Sequence, residues 1–243
     1  METTLDHLGG GWWVYQLKRG HRFSTDDVLT ARAARRARPD ALRLLDLGSG
    51  IGSIGLFTLL GLPPEARLVA VEVQAISAQL ARQSVAYNGL ESRVELREGD
   101  LRDPAVLSGA GLFDLITANP PYIPPGAGLV SPYPQRAQAR VEAHGDVFDY
   151  CRVVARHLAP EGRFCLCFAA ADPRPERAIA AAGLHVHHQL DVVFRHGRGP
   201  MICVRTCGWE PKEREVERFL VRSAEGPWTP AYQDARRELG MIA

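Results

Sequence analysis

The sequence predicts an α/β domain: a three-layer sandwich built on a mostly parallel sheet with helices on both faces. Short apolar runs alternate with helical patterns from residue 41 onward. A run of alternate glycines closes the first apolar run and opens the first of these helices. The 243 residues, with 29 basic against 28 acidic side chains, have the size and balance of one large globular domain.

The elements follow in order. Residues 42–47 read as the first strand, and 54–60 as a helix stopped by Gly61 and Pro63-Pro64. Residues 68–73 form a second strand, and 75–88 a helix ending at Asn88-Gly89. Strands follow at 94–98 and 113–118. Residues 146–158 are amphipathic, with Val147, Phe148, Cys151, Val154, Ala155 and Leu158 on one side. A fifth strand at 162–169, a helix at 175–182 and a strand pair at 184–190 and 201–205 complete the series. The ends differ. Residues 1–40 hold a glycine-rich aromatic stretch, Gly9 to Tyr15, then a helix from about 25 to 38 that Pro39 ends. Residues 208–243 are charged and aperiodic apart from a short helix at 230–239. The organisation expected is an N-terminal segment (1–40), a main domain (41–207) and a C-terminal extension (208–243).

No apolar run approaches the roughly 18–20 residues of a membrane span. The first residues show no basic stretch followed by an apolar one, so a cytoplasmic protein without membrane partners is expected. A net charge of +1 excludes nucleic-acid binding by bulk charge alone but not a local basic patch. Of the basic residues only Lys18 and Lys212 are lysines. Arg32, Arg35 and Arg36 share a helix face by their spacing, as a phosphate-contacting surface or a solvated one. The five cysteines form no C-x-x-C pair and are expected as small buried side chains, Cys165 and Cys167 on the same strand face. His185, His187 and His188 lack a carboxylate at suitable spacing, so a surface or edge strand and no metal are expected. Trp12 and Trp13 are expected to pack the N-terminal segment onto the core.

The chemistry begins at Leu45-Asp46-Leu47-Gly48-Ser49-Gly50-Ile51-Gly52. Glycines after a strand let backbone approach a ligand where side chains would collide, at the strand ends where open α/β sheets bind ligands. Glu72, 20 residues after Gly52, ends the second strand, where an acid can accept from ribose hydroxyls. The glycine spacing is not the Gly-x-Gly-x-x-Gly of dinucleotide sites. Asp46 would repel a pyrophosphate and favour a sulfonium. Asp100, in Glu98-Gly-Asp-Leu101, is placed to meet an adenine amino group. These features are similar to the class I methyltransferase pattern, which implies S-adenosylmethionine as cofactor.

Asn119-Pro120-Pro121-Tyr122 follows the fourth strand. It resembles the (Asn/Asp)-Pro-Pro-(Tyr/Phe/Trp) motif of methyltransferases acting on conjugated nitrogen: adenine N6, cytosine N4 or the glutamine amide. The lone pair of such a nitrogen is delocalised and poorly nucleophilic. Hydrogen bonds from its N–H groups to the Asn119 side-chain oxygen and the Pro120 carbonyl would favour a pyramidal nitrogen aimed at the methyl group, so that positioning and electrostatics carry catalysis. Pro121 stiffens this backbone and Tyr122 offers a stacking face.

Residues 16–29, with Gln16, Arg22, Phe23, Ser24, Thr25 and Asp26, and the stretch Gln135-Arg136-Ala-Gln-Ala-Arg140-Val-Glu142 are similar to segments of the bacterial tRNA(Val) adenine-N6 methyltransferases. The resemblance covers roughly residues 5–207. It implies a Rossmann-like sheet of seven strands with an antiparallel last strand. It implies that Gln16, Arg22, Phe23, Ser24 and Thr25 close over the cofactor, held by Asp46, Gly48, Gly50, Glu72, Val73, Asp100, Leu101 and Asn119. Tyr122, Arg136 and Arg140 would contact tRNA. Pro124-Pro125 is also similar to the release-factor glutamine methyltransferases, so a release factor is the alternative substrate. A third alternative is a non-catalytic RNA-binding module of the same fold.

Overall fold

A computed structural model describes residues 2–124, 126 and 131–241. The chain opens with a hairpin, β1 (Thr3–Gly9) and β2 (Trp12–Leu17), and helix α1 (Thr25–Ala37). The alternating series follows: β3 (Arg43–Leu47), α2 (Ser53–Leu60), β4 (Arg67–Glu72), α3 (Ala75–Tyr87), β5 (Val94–Glu98) and β6 (Phe113–Ala118). Next come the short helix α4 (Pro134–Gln138), α5 (Val147–His157), β7 (Leu158–Ala169), α6 (Arg174–Ala181), β8 (His185–Val193) and β9 (Ile202–Gly208). Strand β10 (Glu215–Leu220) and helix α7 (Pro230–Glu238) end the series.

The main sheet runs β10-β8-β9-β7-β6-β3-β4-β5. Every neighbouring pair is parallel except those of β9, which is antiparallel to β7 and β8. The fold class is as expected, with an eighth strand beyond the seven: β10 pairs with β8 at the edge. Its sequence, EVERFL, buries only Phe219 deeply, so it carries no two-sided apolar run to betray it. Charge of this kind is what natural sheets place on edge strands.

Side-chain alternation divides the core in two. Leu44, Leu115, Cys165 and Cys167 join α1, α2, α3 and α7 on one face. Leu45, Leu47, Ile116, Phe164 and Leu166 join α5 and α6 on the other. Helix α5 starts at a reciprocal cap: Asp146 Oδ1 accepts from the amides of Phe148 and Asp149, and Asp149 Oδ2 accepts from the Asp146 amide. All five cysteines are buried and unbridged.

The N-terminal hairpin is a second departure, since residues 1–24 carried no strand prediction. Gly10 and Gly11, both at positive φ, form its two-residue turn, a conformation matched to strand twist. Its open edge is bound by helix side chains. Asn88 Oδ1 accepts from the Trp13 amide while Asn88 Nδ2 donates to the Trp13 carbonyl, and Ser84 Oγ accepts from the Tyr15 amide. Trp12 packs on the core, while Trp13 lies edge-on to His7.

The arginine face of α1 is a third departure. Arg32 and Arg36 both pair with Glu238 of α7, and Arg35 lies against Gly61. This face binds the protein's own C-terminal helix. Among the histidines, a bulge in β8 turns His187 inward, where its Nε2 meets the Glu210 carbonyl at 2.8 Å. Among the described residues no three His, Cys, Asp or Glu side chains gather as a metal site, and no helix is long and apolar enough to cross a membrane.

Candidate active site

A cavity of about 570 Å³ opens at the carboxyl ends of β3, β4 and β6. One wall is the glycine turn. Gly48, Gly50 and Gly52 all have positive φ, so the turn exposes backbone rather than side chains to the cavity. The Ser49 amide bonds the Val71 carbonyl, tying the turn to β4. Glu72 pins it further: one carboxylate oxygen accepts from the Gly50 amide and the other from the Gln74 amide, each at 2.7 Å. Burial raises the Glu72 pKa, while these amides and nearby His144 lower it. Each Glu72 oxygen keeps a lone pair for a ligand hydroxyl. Val73 and Leu101 add apolar lining beside it.

The opposite wall is the Asn-Pro-Pro-Tyr loop. Asn119 Nδ2 donates to Asp26 Oδ2 at 2.9 Å, and Asn119 Oδ1 is buried with no partner among the described residues. Tyr122 is half-buried and stacks edge-on with Phe168. Arg174, at the start of α6, holds this loop: its guanidinium pairs with Glu142 and Asp172 and donates to the Tyr122 carbonyl at 3.4 Å. Pro120 and Pro121 line the cavity beside Asn119.

The segment after the hairpin forms the roof. Arg22, Phe23 and Ser24 line the cavity, with Phe23 edge-on to Phe57 of α2. Gln16 does not line it. This buried side chain accepts from the Phe23 amide and donates to Asp6, so it braces the roof from behind. Thr25 faces away as well, bonded to the Tyr232 hydroxyl of α7 at 3.0 Å. Gln135 of α4 stitches the other side: its Oε1 accepts from the His21 amide and its Nε2 donates to Ser77 of α3. This puts Arg136 and Arg140 at the cavity. Burial lowers the His21 pKa, and Arg140 and Arg136 push it the same way against the pull of Asp26.

Two carboxylates sit differently from expectation. Asp46 does not line the cavity. It is 1% exposed, with Oδ2 accepting from the Gly55 amide and Oδ1 from the Thr117 hydroxyl. Strand alternation explains this, because Asp46 shares the Leu44 face and points under α2. Asp100 is turned into a bidentate pair with Arg102, leaving Gly99 and Leu101 on the cavity wall. Pro125 lies outside the described residues. Spacing alone did not reveal Asp26, Gln135, Tyr150 or Arg174 as site residues, since each acts across long sequence separations.

Burial pushes the Asp46 pKa up to about 7 against its hydrogen bonds. The unfolded chain ionises this group near its ordinary value of 3.8, the folded chain only near 7. Across that window the folded state holds the extra proton, so this group's contribution to stability falls as pH rises and is flat above it. An asparagine amide in its place would keep both neighbours satisfied, with Thr117 free to donate to the Leu45 carbonyl. Asp46→Asn should therefore flatten the pH dependence of the unfolding free energy between those values. Denaturant titrations over that pH range check this; an unchanged slope would sink it.

Among the described residues three buried polar atoms lining the cavity lack partners: Ser49 Oγ, Gln74 Oε1 and Asn119 Oδ1. Native proteins rarely strand such groups. Together with the exposed glycine backbone and the acid at the end of β4, they fit a polar nucleoside-bearing ligand such as S-adenosylmethionine. Strand order, reversed β9 and glycine turn define a class I methyltransferase fold. The methyltransferase small domain family model matches residues 28–165, and the chain belongs to that family. Curated relatives carry the name tRNA1(Val) (adenine(37)-N6)-methyltransferase. One from Phocaeicola vulgatus is 33% identical over 77% of this chain and 76% of its own. Another, from Shewanella amazonensis, is 28% identical over 90% and 91%. Among solved structures, a predicted O-methyltransferase from Agrobacterium tumefaciens superposes with a TM-score of 0.63 at 20% identity, covering 90% of this chain and 99% of that one. A precorrin-6y C5,15-methyltransferase from Geobacter metallireducens gives 0.56 at 18%, covering 82% and 93%.

Proposed function

We propose that the protein transfers a methyl group from S-adenosylmethionine to the exocyclic N6 of an adenine in tRNA. The observation that carries this reading is the unpaired, buried Asn119 Oδ1 on the wall of a cavity whose other wall is the glycine turn. An amide oxygen held without a partner is an acceptor awaiting an N–H. The names of the relatives support tRNA adenine as its source.

The cofactor supplies an electrophilic methyl group on a sulfonium. The chain's residues do the rest. The Gly48–Gly50 backbone and Glu72 would hold the cofactor, with Val73 and Leu101 beside its adenine. Asn119 Oδ1 and the Pro120 carbonyl would accept the two N–H bonds of the target amine. This draws the lone pair out of conjugation and aims it along the transfer line. Tyr122 would stack on the base drawn from its strand. No strong base is required, because the product nitrogen sheds its proton readily.

The arginines divide into two groups. Those of α1 are occupied by α7, whereas Arg19, Arg136 and Arg140 line the cavity with no acidic ion-pair partner among the described residues. Arg195 and Arg198 stand exposed on the β8–β9 loop, whose ends Phe194 and Met201 also line the cavity. This ring of cations suits phosphates flanking an extruded base. Replacing Arg195 and Arg198 together by alanine should reduce the salt slope of tRNA binding by about 2 and leave cofactor affinity unchanged. Filter binding across ionic strengths checks it; an unaltered slope would remove this loop from the interface.

The deciding assay offers methyl-labelled S-adenosylmethionine with unmodified tRNA and with release factors in parallel. Label recovered as N6-methyladenosine supports the reading. Label in the release factor moves it to glutamine. Label in neither, with cofactor bound, favours the binding module.

A further inference from the structure

We infer that Asp26 is a positioning residue that sets which end of the Asn119 amide faces the acceptor; the inference rests on the nitrogen-methylation reading above. A side-chain amide can present either its oxygen or its NH2 to a ligand, and the two orientations fit nearly the same space. Only the oxygen is useful against a donor N–H. Asp26 removes the choice. A carboxylate offers acceptors only, so Asn119 must turn Nδ2 toward it, and that bond is 2.9 Å long. The flipped amide would set its oxygen against a carboxylate. The productive orientation leaves Asn119 Oδ1 buried and unpartnered, as the structure has it.

Asp26 is itself fixed. It lies in the first turn of α1, its other carboxylate oxygen accepts from the Ser24 hydroxyl, and its own carbonyl accepts from the Thr30 hydroxyl at 2.7 Å. Helix α1 in turn is anchored beneath the glycine turn, where the fully buried Asp27 accepts from Ser53 Oγ at 2.7 Å. A rigid helix end thereby orients the acceptor across 93 residues of sequence. Asp26 lines the same cavity, so its charge also faces the place where the attacking nitrogen gains positive charge as it takes the methyl group.

A reciprocal exchange tests this. Asp26→Asn lets the pair adopt either amide orientation and should lower kcat about 10- to 100-fold, with cofactor affinity within about twofold. Asn119→Asp sets two carboxylates face to face and should lose at least as much. The double exchange, Asp26→Asn with Asn119→Asp, rebuilds the pair in reverse: the amide now on α1 donates to the carboxylate now on the loop, whose second oxygen again faces the acceptor. It should recover about tenfold or more over Asn119→Asp alone. A bracing role predicts additive losses and no recovery. An independent readout needs no acceptor: the Asn119 side-chain NH2 signals of the cofactor-bound protein should exchange with solvent about tenfold slower than in Asp26→Asn. If wild-type protein labels no tRNA, the tRNA reading fails while the exchange rates still judge Asp26. Wild-type kcat in Asp26→Asn, additivity in the double exchange, loss of cofactor binding in Asp26→Asn, or equal exchange rates would each overturn the inference.

Discussion

Asn119→Ala should lower the single-turnover rate of methyl transfer by at least about 100-fold while cofactor affinity stays within about twofold. Among the described residues the side chain bonds nothing in the glycine turn, and its one partner is Asp26. Its free oxygen is the acceptor around which the wall is built. Alanine deletes that acceptor and leaves the strand end and both prolines in place. The loss therefore falls on a bond made to the reacting nitrogen, so kcat should drop rather than KM rise. Single-turnover rates at saturating tRNA, with calorimetric titration of the cofactor, separate the two. A parallel collapse of cofactor affinity would mean that Asn119 chiefly supports the pocket.

Gly48→Ala should cost more stability than any other glycine replacement in the turn. At φ +62 an alanine is strained by roughly 1–2 kcal/mol. Its Cβ would also meet the hydroxyl of Tyr150, a buried residue of α5 that cannot retreat without disturbing the second core. Gly50→Ala supplies the contrast. Its φ is +57, yet the nearest atom to a new Cβ is His21 Cδ2 at 3.9 Å, so it carries strain without collision. In a domain of this size each kcal/mol moves Tm by about 2–4 °C. Gly48→Ala should thus melt several degrees below Gly50→Ala and bind cofactor more weakly. Tyr150→Phe in the Gly48→Ala background should recover part of the gap, since it removes the colliding oxygen but not the backbone strain. Equal melting points for the two alanine variants would refute the steric account.

Sequence patterning reached the central sheet because its strands are buried on both faces and read as unbroken apolar runs. Residues 113–118 match β6 to the residue, and the half-exposed edge strand β5 matches 94–98 because Val94 and Leu96 alternate inward. The hairpin escaped because its alternation is weak, although Gly10-Gly11 between two short runs with aromatic and apolar residues was a usable signal. Strand β10 escaped because an edge strand needs little apolar content. At the site, the positions of Glu72, Gly48 and Gly50 on the cavity wall were legible from local spacing, since those positions follow from the strand–turn–helix they occupy. Asp46 was misplaced through neglect of alternation: Leu45 and Leu47 face one core, so Asp46 faces the other. Gln16 and Thr25 belong to the roof segment but point to its supports, which only the fold reveals. Asp26 belongs to the segment that carries the resemblance, but its pairing with Asn119 had no local signal, because that partner is on a different loop.

Thr25 and Tyr232 meet across 207 residues, Arg32 and Glu238 across 206, and the Gly10 amide bonds the Gly240 carbonyl. The roof of the cavity is thus propped by a segment made more than 200 residues after it. On a ribosome, the glycine turn and the Asn-Pro-Pro-Tyr loop emerge long before α7 can prop α1 beneath them. Closing so long a loop adds an entropic delay to that wait. Methyl-transfer competence should consequently wait on α7, and a chain truncated before residue 230 should hold a formed sheet under an unsupported roof.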